Sequence, residues 1–189
     1  MRNFSIALVG AALFILAACE QPVPRNPDAI DYDVAGYVQQ QIDRLQARQP
    51  AVLKSVKTEN EPSETIQLEK LDWAEELAVF EQADINKPTL REYYIRTEQP
   101  LPDGGREVIY QKKEDAKAPV ERLYLQLSVE NRLKKMEATL LDENLLFYSK
   151  RKAILDTNLQ TGNIEAYTID GVQKLIFGDS LHFTVQANL

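Results

Sequence analysis

The sequence predicts an α+β fold in which N-terminal helices pack on a curved antiparallel β-sheet meander. Apolar residues recur at helical spacing in the first half of the chain, and from Leu90 onward their period changes to two. Short segments with turn-forming residues separate the later apolar stretches. Links this short join antiparallel neighbours, because parallel pairing requires a long crossover.

Two helices are predicted in the first half of the domain. In the first helix, which Pro50 ends, apolar residues follow Asp33 at steps of three and four: Val34, Tyr37, Val38, Ile42 and Leu45. In the second, Asp72 and Glu75 have the spacing of a capping box, and three apolar residues continue at helical spacing: Trp73, Leu77 and Phe80. We expect the second helix to dock its aromatic side on the sheet.

Ten strands are predicted. Residues 51–58 and a stretch around Ile66 and Leu68 form a candidate hairpin with a loop at 59–64. In the predicted strand at 120–130, Leu123, Leu125, Leu127 and Val129 alternate with polar residues and should face the core. Residues 142–144 and the pair Asp170-Gly171 are among the predicted turns. The eight later strands are predicted at 91–97, 106–112, 120–130, 133–141, 145–156, 164–169, 172–177 and 181–187.

The N-terminus has the layout of an export signal. Arg2 precedes an almost wholly apolar stretch at residues 6–18, which is shorter than the roughly 20 residues that a membrane-spanning helix needs. The end of this stretch and the residue after it, Leu16-Ala17-Ala18-Cys19, resemble the lipobox of bacterial lipoproteins. The resemblance implies a signal peptide at 1–18 and a diacylglycerol-modified, palmitate-bearing Cys19, the chain's one cysteine. An ordinary secretory signal with an incidental cysteine is the alternative.

A spacer and one domain are expected to follow the anchor. Residues 19–27 contain three prolines, which disfavour both helix and sheet, and residues 28–189 have the size and composition of a single α+β domain. In the lipoproteins that the lipobox resembles, Asp directly after the cysteine is associated with the inner membrane. Glu20 stands there instead. The resemblance therefore implies a protein of the cell envelope, anchored in the outer membrane and facing the periplasm.

Charge favours some partners over others. The net charge of −7 argues against nucleic acid, because phosphate binding needs a concentrated basic surface. If the turn at 142–144 is the pivot of its hairpin, Lys135 falls near Arg151 and Lys134 near Lys152. The resulting basic patch, which either protects a solvated sheet edge or contacts an anionic partner, comprises Arg132, Lys134, Lys135, Lys150, Arg151 and Lys152.

The sequence contains no catalytic signature, and we predict no catalytic residue, metal ligand or cofactor. His182, the single histidine, alternates with Leu181 and Phe183 and should face solvent without a partner for general-base chemistry. A carboxylate-based hydrolase is the less favoured alternative. Its carboxylates would come from the second helix and the segment after it: Asp72, Glu75, Glu76 and Asp84.

Aromatic residues on successive strands offer a binding hypothesis, since a curved sheet could line a groove with their rings. In order of elements, the chain resembles lipoprotein carriers of the LolA/LolB kind, whose half-open sheet holds acyl chains. Residues 32–37, 84–88 and 171–174 also resemble small uncharacterised lipoproteins of Bacteroidetes-type bacteria. We therefore expect a non-enzymatic, membrane-anchored binding or scaffolding module for a lipid, a glycan or an envelope protein.

Overall fold

A computed structural model describes residues 32–59 and 61–189 of the chain. The predicted signal peptide at 1–18, Cys19 and the spacer at 19–27 lie outside the described residues. Within the described ranges the chain forms α1 (Val34–Arg48), β1 (Val52–Thr58), β2 (Glu61–Leu68), α2 (Trp73–Glu81), α3 (Pro88–Arg91), β3 (Tyr94–Pro100), β4 (Arg106–Lys112), β5 (Val120–Leu127), β6 (Leu133–Glu143), β7 (Phe147–Thr157), β8 (Ile164–Leu175) and β9 (Ser180–Asn188).

The nine strands of the described residues belong to one antiparallel sheet with the order β2-β1-β9-β8-β7-β6-β5-β4-β3. From β3 to β9 each strand pairs with the next in sequence, which is the predicted meander. The β1–β2 hairpin then joins the free side of β9, where Lys54 pairs with Ala187 and Val56 with Val185. The α+β class and the antiparallel sheet are confirmed.

The two longer helices begin where the sequence predicts. The Asp33 side chain accepts a hydrogen bond from the Gly36 N–H at 2.9 Å, and Asp72 accepts from the Ala74 and Glu75 N–H groups at 3.0 and 3.3 Å. Each carboxylate thus satisfies donors that a helix leaves free in its first turn. Among the described residues, no helix combines the length and the apolar character needed to cross a membrane.

The core lies between the helices and one face of the sheet, which we call the helix-covered face. Trp73, Leu77 and Phe80 of α2 are completely buried. The Phe80 ring meets Tyr167 of β8 edge to face, with 5.9 Å between ring centroids. The predicted docking of the aromatic side of the second helix on the sheet is confirmed.

Strand β5 confirms the predicted alternation and corrects its end. Leu123, Leu125 and Leu127 are buried on the helix-covered face. Val129 was expected to continue this row, but it is 69% exposed, because the strand ends at Leu127 and a turn follows. In that turn the Asn131 N–H donates to the Ser128 carbonyl at 3.0 Å.

One predicted turn is wrong. Asp170 and Gly171 lie inside β8, where Asp170 pairs with Lys152 and Thr184, and Gly171 with Arg151 and Phe183. The two strands predicted at 164–169 and 172–177 are therefore a single strand. The glycine serves packing instead: a Cβ at this position would lie 2.3 Å from Cζ of the Phe183 ring.

The predicted pivot of the β6–β7 hairpin is also wrong. Strand β6 continues to Glu143, which pairs with Tyr148, and the turn is formed by residues 144–146. The Asn144 side chain closes this turn by accepting from the Leu146 and Phe147 N–H groups at 2.9 and 3.1 Å. As a result, Lys135 pairs with Asp156 and not with Arg151.

Candidate functional site

The six residues of the predicted basic patch do not form one cluster. Arg132, in the turn before β6, binds Glu130 and the Gln160 carbonyl. Lys134 forms an ion pair with Asp103. Arg151 lies on the helix-covered face, where its guanidinium donates to Gln82, the residue that follows α2, at 3.2 Å. The corrected register leaves three of the six on the opposite face of the sheet: Lys135, Lys150 and Lys152.

We call that opposite face the open face, since no described helix packs on it. A cleft of about 600 Å³ lies there across β1, β9, β8, β7 and β6. Cationic groups enter its lining from three places in the sequence: Lys57 of β1, Lys150 and Lys152 of β7, and, when protonated, His182 of β9. Hydroxyl and carboxylate groups complete the polar lining, namely Thr58, Glu59, Thr139, Asp170 and Thr184.

A second depression of about 520 Å³ continues the cleft across β6, β5 and β4. The two share Thr139, and an ion pair of 3.0 Å between Lys150 of the first and Glu121 of the second joins them. The second depression adds the cations Lys112, Lys113 and Arg122. Because adjacent strands lie about 4.8 Å apart, the combined track from β1 to β4 extends for about 29 Å.

Ion pairs on the open face lie within β6 and between β7 and the strands β6 and β5. The Glu137 carboxylate forms ion pairs with the ammonium groups of Lys135 at 3.2 Å and Lys152 at 3.3 Å. Partial burial favours the neutral form of Glu137, but these two hydrogen bonds outweigh it and hold its pKa below the usual value. The hydrogen bond and charge of Glu121 raise the pKa of Lys150. Lys150 is therefore charged at neutral pH.

These ion pairs are exposed, and exposed pairs contribute little stability in water. The side chains of Lys150 and Lys152 are 46% and 51% accessible. Lys57 forms no ion pair with any residue in the described part of the chain. An incoming anion could therefore bind Lys57 directly and replace the carboxylates of the other two at low cost.

The carboxylates of the hydrolase alternative all have structural partners. Asp72 caps α2, and Asp84 accepts from Asn86. Glu76 is held by Lys54 at 2.6 Å and by the Tyr167 hydroxyl. Glu75 is exposed at the start of α2. His182 is exposed on the open face, as its alternation predicts, and none of the four carboxylates lines the cleft with it.

The aromatic residues do not line a common groove. Tyr94, Tyr110 and Tyr167 are buried in the core, whereas Phe177 is almost completely exposed in the turn after β8. The ring of Phe183 packs against Gly171. Within residues 32–59 and 61–189, no group of three or more histidine, cysteine, aspartate or glutamate side chains could hold a metal ion.

Sequence reasoning missed Lys57 and Thr184 as members of the site. Neither has a local motif, and they meet only because β1 pairs with β9, 127 positions later in the chain, at Lys57 and Thr184. No protein-family model, curated protein or solved structure matches this chain. The geometry of the open face is therefore the basis for a functional proposal.

Proposed function

We propose that this chain is a lipid-anchored protein of the cell envelope that binds an acidic glycan without catalysing a reaction. In this proposal the sheet curves around the track on the open face. The observation that carries the proposal is that track, with cations supplied by β1, β7, β5 and the end of β4. An extended chain of sugars fits a path of about 29 Å better than a compact small molecule does.

The composition of the track supports a hydroxyl-rich anion as the ligand. Thr139 and Thr184 offer neutral hydroxyl groups between the cationic side chains. The lining of the track holds six lysine and arginine side chains and four carboxylates, those of Glu59, Asp170, Glu114 and Glu121. On a protein with a net charge of −7, this local excess of cations favours an anionic partner. An acyl chain is a poorer fit, because Trp73, Phe80 and Tyr167 fill the space between α2 and the sheet.

Titration calorimetry tests the ligand class, with a hexamer of galacturonic acid as the acidic probe and neutral maltohexaose as its counterpart. We expect binding of the acidic hexamer only, weakening as salt rises. The double variant Lys57→Gln/Lys152→Gln should weaken binding at least tenfold. Two exposed lysines outside both depressions provide a control with the same change of charge, Lys70→Gln/Lys87→Gln, which should bind as the parent protein does.

A protein partner is the alternative occupant of the open face. In that case neither hexamer would bind, and crosslinking in intact cells would trap one envelope protein whose capture is lost in Lys57→Gln/Lys152→Gln. Equal binding of the two hexamers, or equal weakening by the two double variants, would refute a cationic glycan site.

The anchor is tested separately from the ligand. Cys19→Ser removes the only thiol that could accept diacylglycerol. We expect the uncleaved precursor to accumulate and the mature form to disappear from detergent extracts of the envelope. Processing to the parent size, with equally tight attachment to the envelope, would exclude Cys19 as the anchor.

A further inference from the structure

Two neighbouring turns form an exposed apolar tip at one end of the sheet. The β6–β7 turn contributes Leu145 and Leu146, and the end of β8 with the turn after it contributes Leu175, Ile176 and Phe177. Leu145 is 92% exposed and Phe177 is 96% exposed. Isolated exposed apolar residues are ordinary, but five exposed apolar side chains in two neighbouring chain segments are a concentration of the kind that marks an interaction site.

The two turns are held together by the backbone. Phe147 pairs with Leu175, and the Ile176 N–H donates to the Leu146 carbonyl at 3.0 Å. Asn144 closes the first turn, and in the second the Gly178 N–H donates to the Leu175 carbonyl at 3.1 Å. The tip is thus a defined feature of the fold, and its two most exposed side chains, Leu145 and Phe177, lie almost entirely in solvent.

The described chain begins near the opposite end of the sheet. The Tyr37 hydroxyl donates to the Gly162 carbonyl in the β7–β8 turn at 3.1 Å, and the rings of Tyr32 and Tyr37 lie 6.1 Å apart. Strand β6 separates that end from the tip, and its 11 residues extend for about 33 Å. The thirteen residue steps from Cys19 to Tyr32 can span at most about 45 Å, so an anchor at Cys19 allows the tip to reach the same bilayer.

We propose that the apolar tip inserts into the bilayer leaflet that holds the Cys19 anchor, a step that rests on the anchor proposed above. Exposed apolar side chains of this kind can be buried in fluid hydrocarbon, where burial of apolar surface adds to the binding of a lipid anchor. The charged residues around the tip are Asp142, Glu143, Asp179 and Lys174, all exposed. With three acids and one base, the tip should enter zwitterionic phosphatidylcholine without any need for anionic lipid.

Fluorescence quenching tests the insertion. The mature protein, purified from the envelope, would carry one added cysteine with an environment-sensitive nitrobenzoxadiazole label, since the sulfur of an acylated Cys19 does not react. Phe177→Cys reports on the tip. Leu159→Cys, 61% exposed in the β7–β8 turn, is the matched control at the opposite end. In phosphatidylcholine vesicles with brominated acyl chains, we expect the label at 177 to be quenched at least threefold more than the label at 159.

A variant of the tip, added salt and added unlabelled protein distinguish insertion from other causes of quenching. Leu145→Ser/Leu146→Ser in the 177-labelled protein should reduce quenching at least twofold without changing its circular dichroism, and 0.5 M NaCl should leave quenching unchanged. Equal quenching at both positions, or its loss in salt, would overturn insertion. A change of emission on adding unlabelled protein would instead show that a second copy covers the tip, and would also overturn it. The mass of the same preparation reports acylation of Cys19, so failure of the anchor is recognised independently.

Discussion

Among the single residues of this protein, Glu76 illustrates how a candidate catalytic group becomes a structural one. Its carboxylate accepts two hydrogen bonds from the Lys54 ammonium, at 2.6 and 2.8 Å, and a third from the Tyr167 hydroxyl. The three side chains come from α2, β1 and β8. They connect the helix to two non-sequential strands where the core meets solvent.

Replacing Glu76 by glutamine should reduce the free energy of unfolding by about 1–3 kcal/mol, because the poorly accessible Lys54 ammonium loses its counter-charge. The side chains of Lys54 and Glu76 are only 19% and 13% accessible. Urea unfolding measures the change. The exposed neighbour Glu75→Gln is the control and should shift stability by less than about 0.5 kcal/mol. Equal effects of the two substitutions would contradict a structural role for the Glu76 contacts.

At the scale of elements, β8 is the strand that joins β7 to β9, the strand with which β1 pairs. It runs unbroken from Ile164 to Leu175 and pairs along its length with β7 and β9. Gly171 is what lets the Phe183 ring lie against the strand on the helix-covered face. The Asp170 side chain, on the open face, accepts from the Thr184 hydroxyl at 2.8 Å.

Gly171→Ala should lower the free energy of unfolding by about 1–3 kcal/mol, since the new methyl group displaces the Phe183 ring. Thermal or urea unfolding measures this. Gly178→Ala is the control: its Cβ would meet its nearest neighbour at 3.7 Å, an ordinary contact, so stability should barely change. In a Phe183→Ala background the effect of Gly171→Ala should shrink. An unchanged effect there would exclude the ring as its cause.

At the scale of the whole molecule, four tyrosines from α1, the residues before it, β3 and β8 are packed in or against the core. Burial is the main cause of a raised pKa at Tyr32, Tyr37, Tyr94 and Tyr167, and for Tyr94 it raises the pKa to about 12. At Tyr167 the neighbouring Glu76 carboxylate raises the pKa further.

Stability should therefore fall as the pH rises above 10. Below the unfolded pKa of 10.0, these phenols are protonated in both the folded and the unfolded chain, so they contribute no pH dependence. Above it the unfolded chain loses protons that the folded chain retains, and unfolding becomes easier. Urea unfolding between pH 8 and 11 should show this decline, with a shallower slope in Tyr167→Phe. An identical slope in that variant would exclude Tyr167 as a contributor.

The orientation of the whole molecule also relates the two proposed surfaces. Val172, in the cleft, lies three residues before Leu175 at the tip, a distance of about 10 Å along β8. With the tip in the bilayer, the part of the glycan track on β7, β8 and β9 would lie just above the headgroups. A glycan attached to a membrane lipid would then be within reach of Lys150 and His182.

The sequence by itself determined the class of the fold and the places of most elements. Both long helices and most of the side chains they bury were predictable, because caps and apolar periodicity are local properties: Asp33 and Asp72 cap, and Trp73, Leu77 and Phe80 face the core. The burial of Gln41 and Val79 was not predicted. The register of the β6–β7 hairpin was not predictable, because Asp142-Glu143-Asn144 and Asn144-Leu145-Leu146 are both plausible turns. Only the side-chain hydrogen bonds of Asn144 and the pairing of the full strands favour the second.

Tertiary structure alone decided the candidate site. A shift of the β6–β7 register divided the predicted basic patch between two faces and two ends of the sheet. Pairing of β1 with β9 then brought Lys57 to the same cleft as Lys150 and Lys152. Local sequence carries no information about which residues come close together in this way. Their proximity depends on which distant strands pair by hydrogen bonds, and that pairing decides the face of the sheet on which each side chain lies.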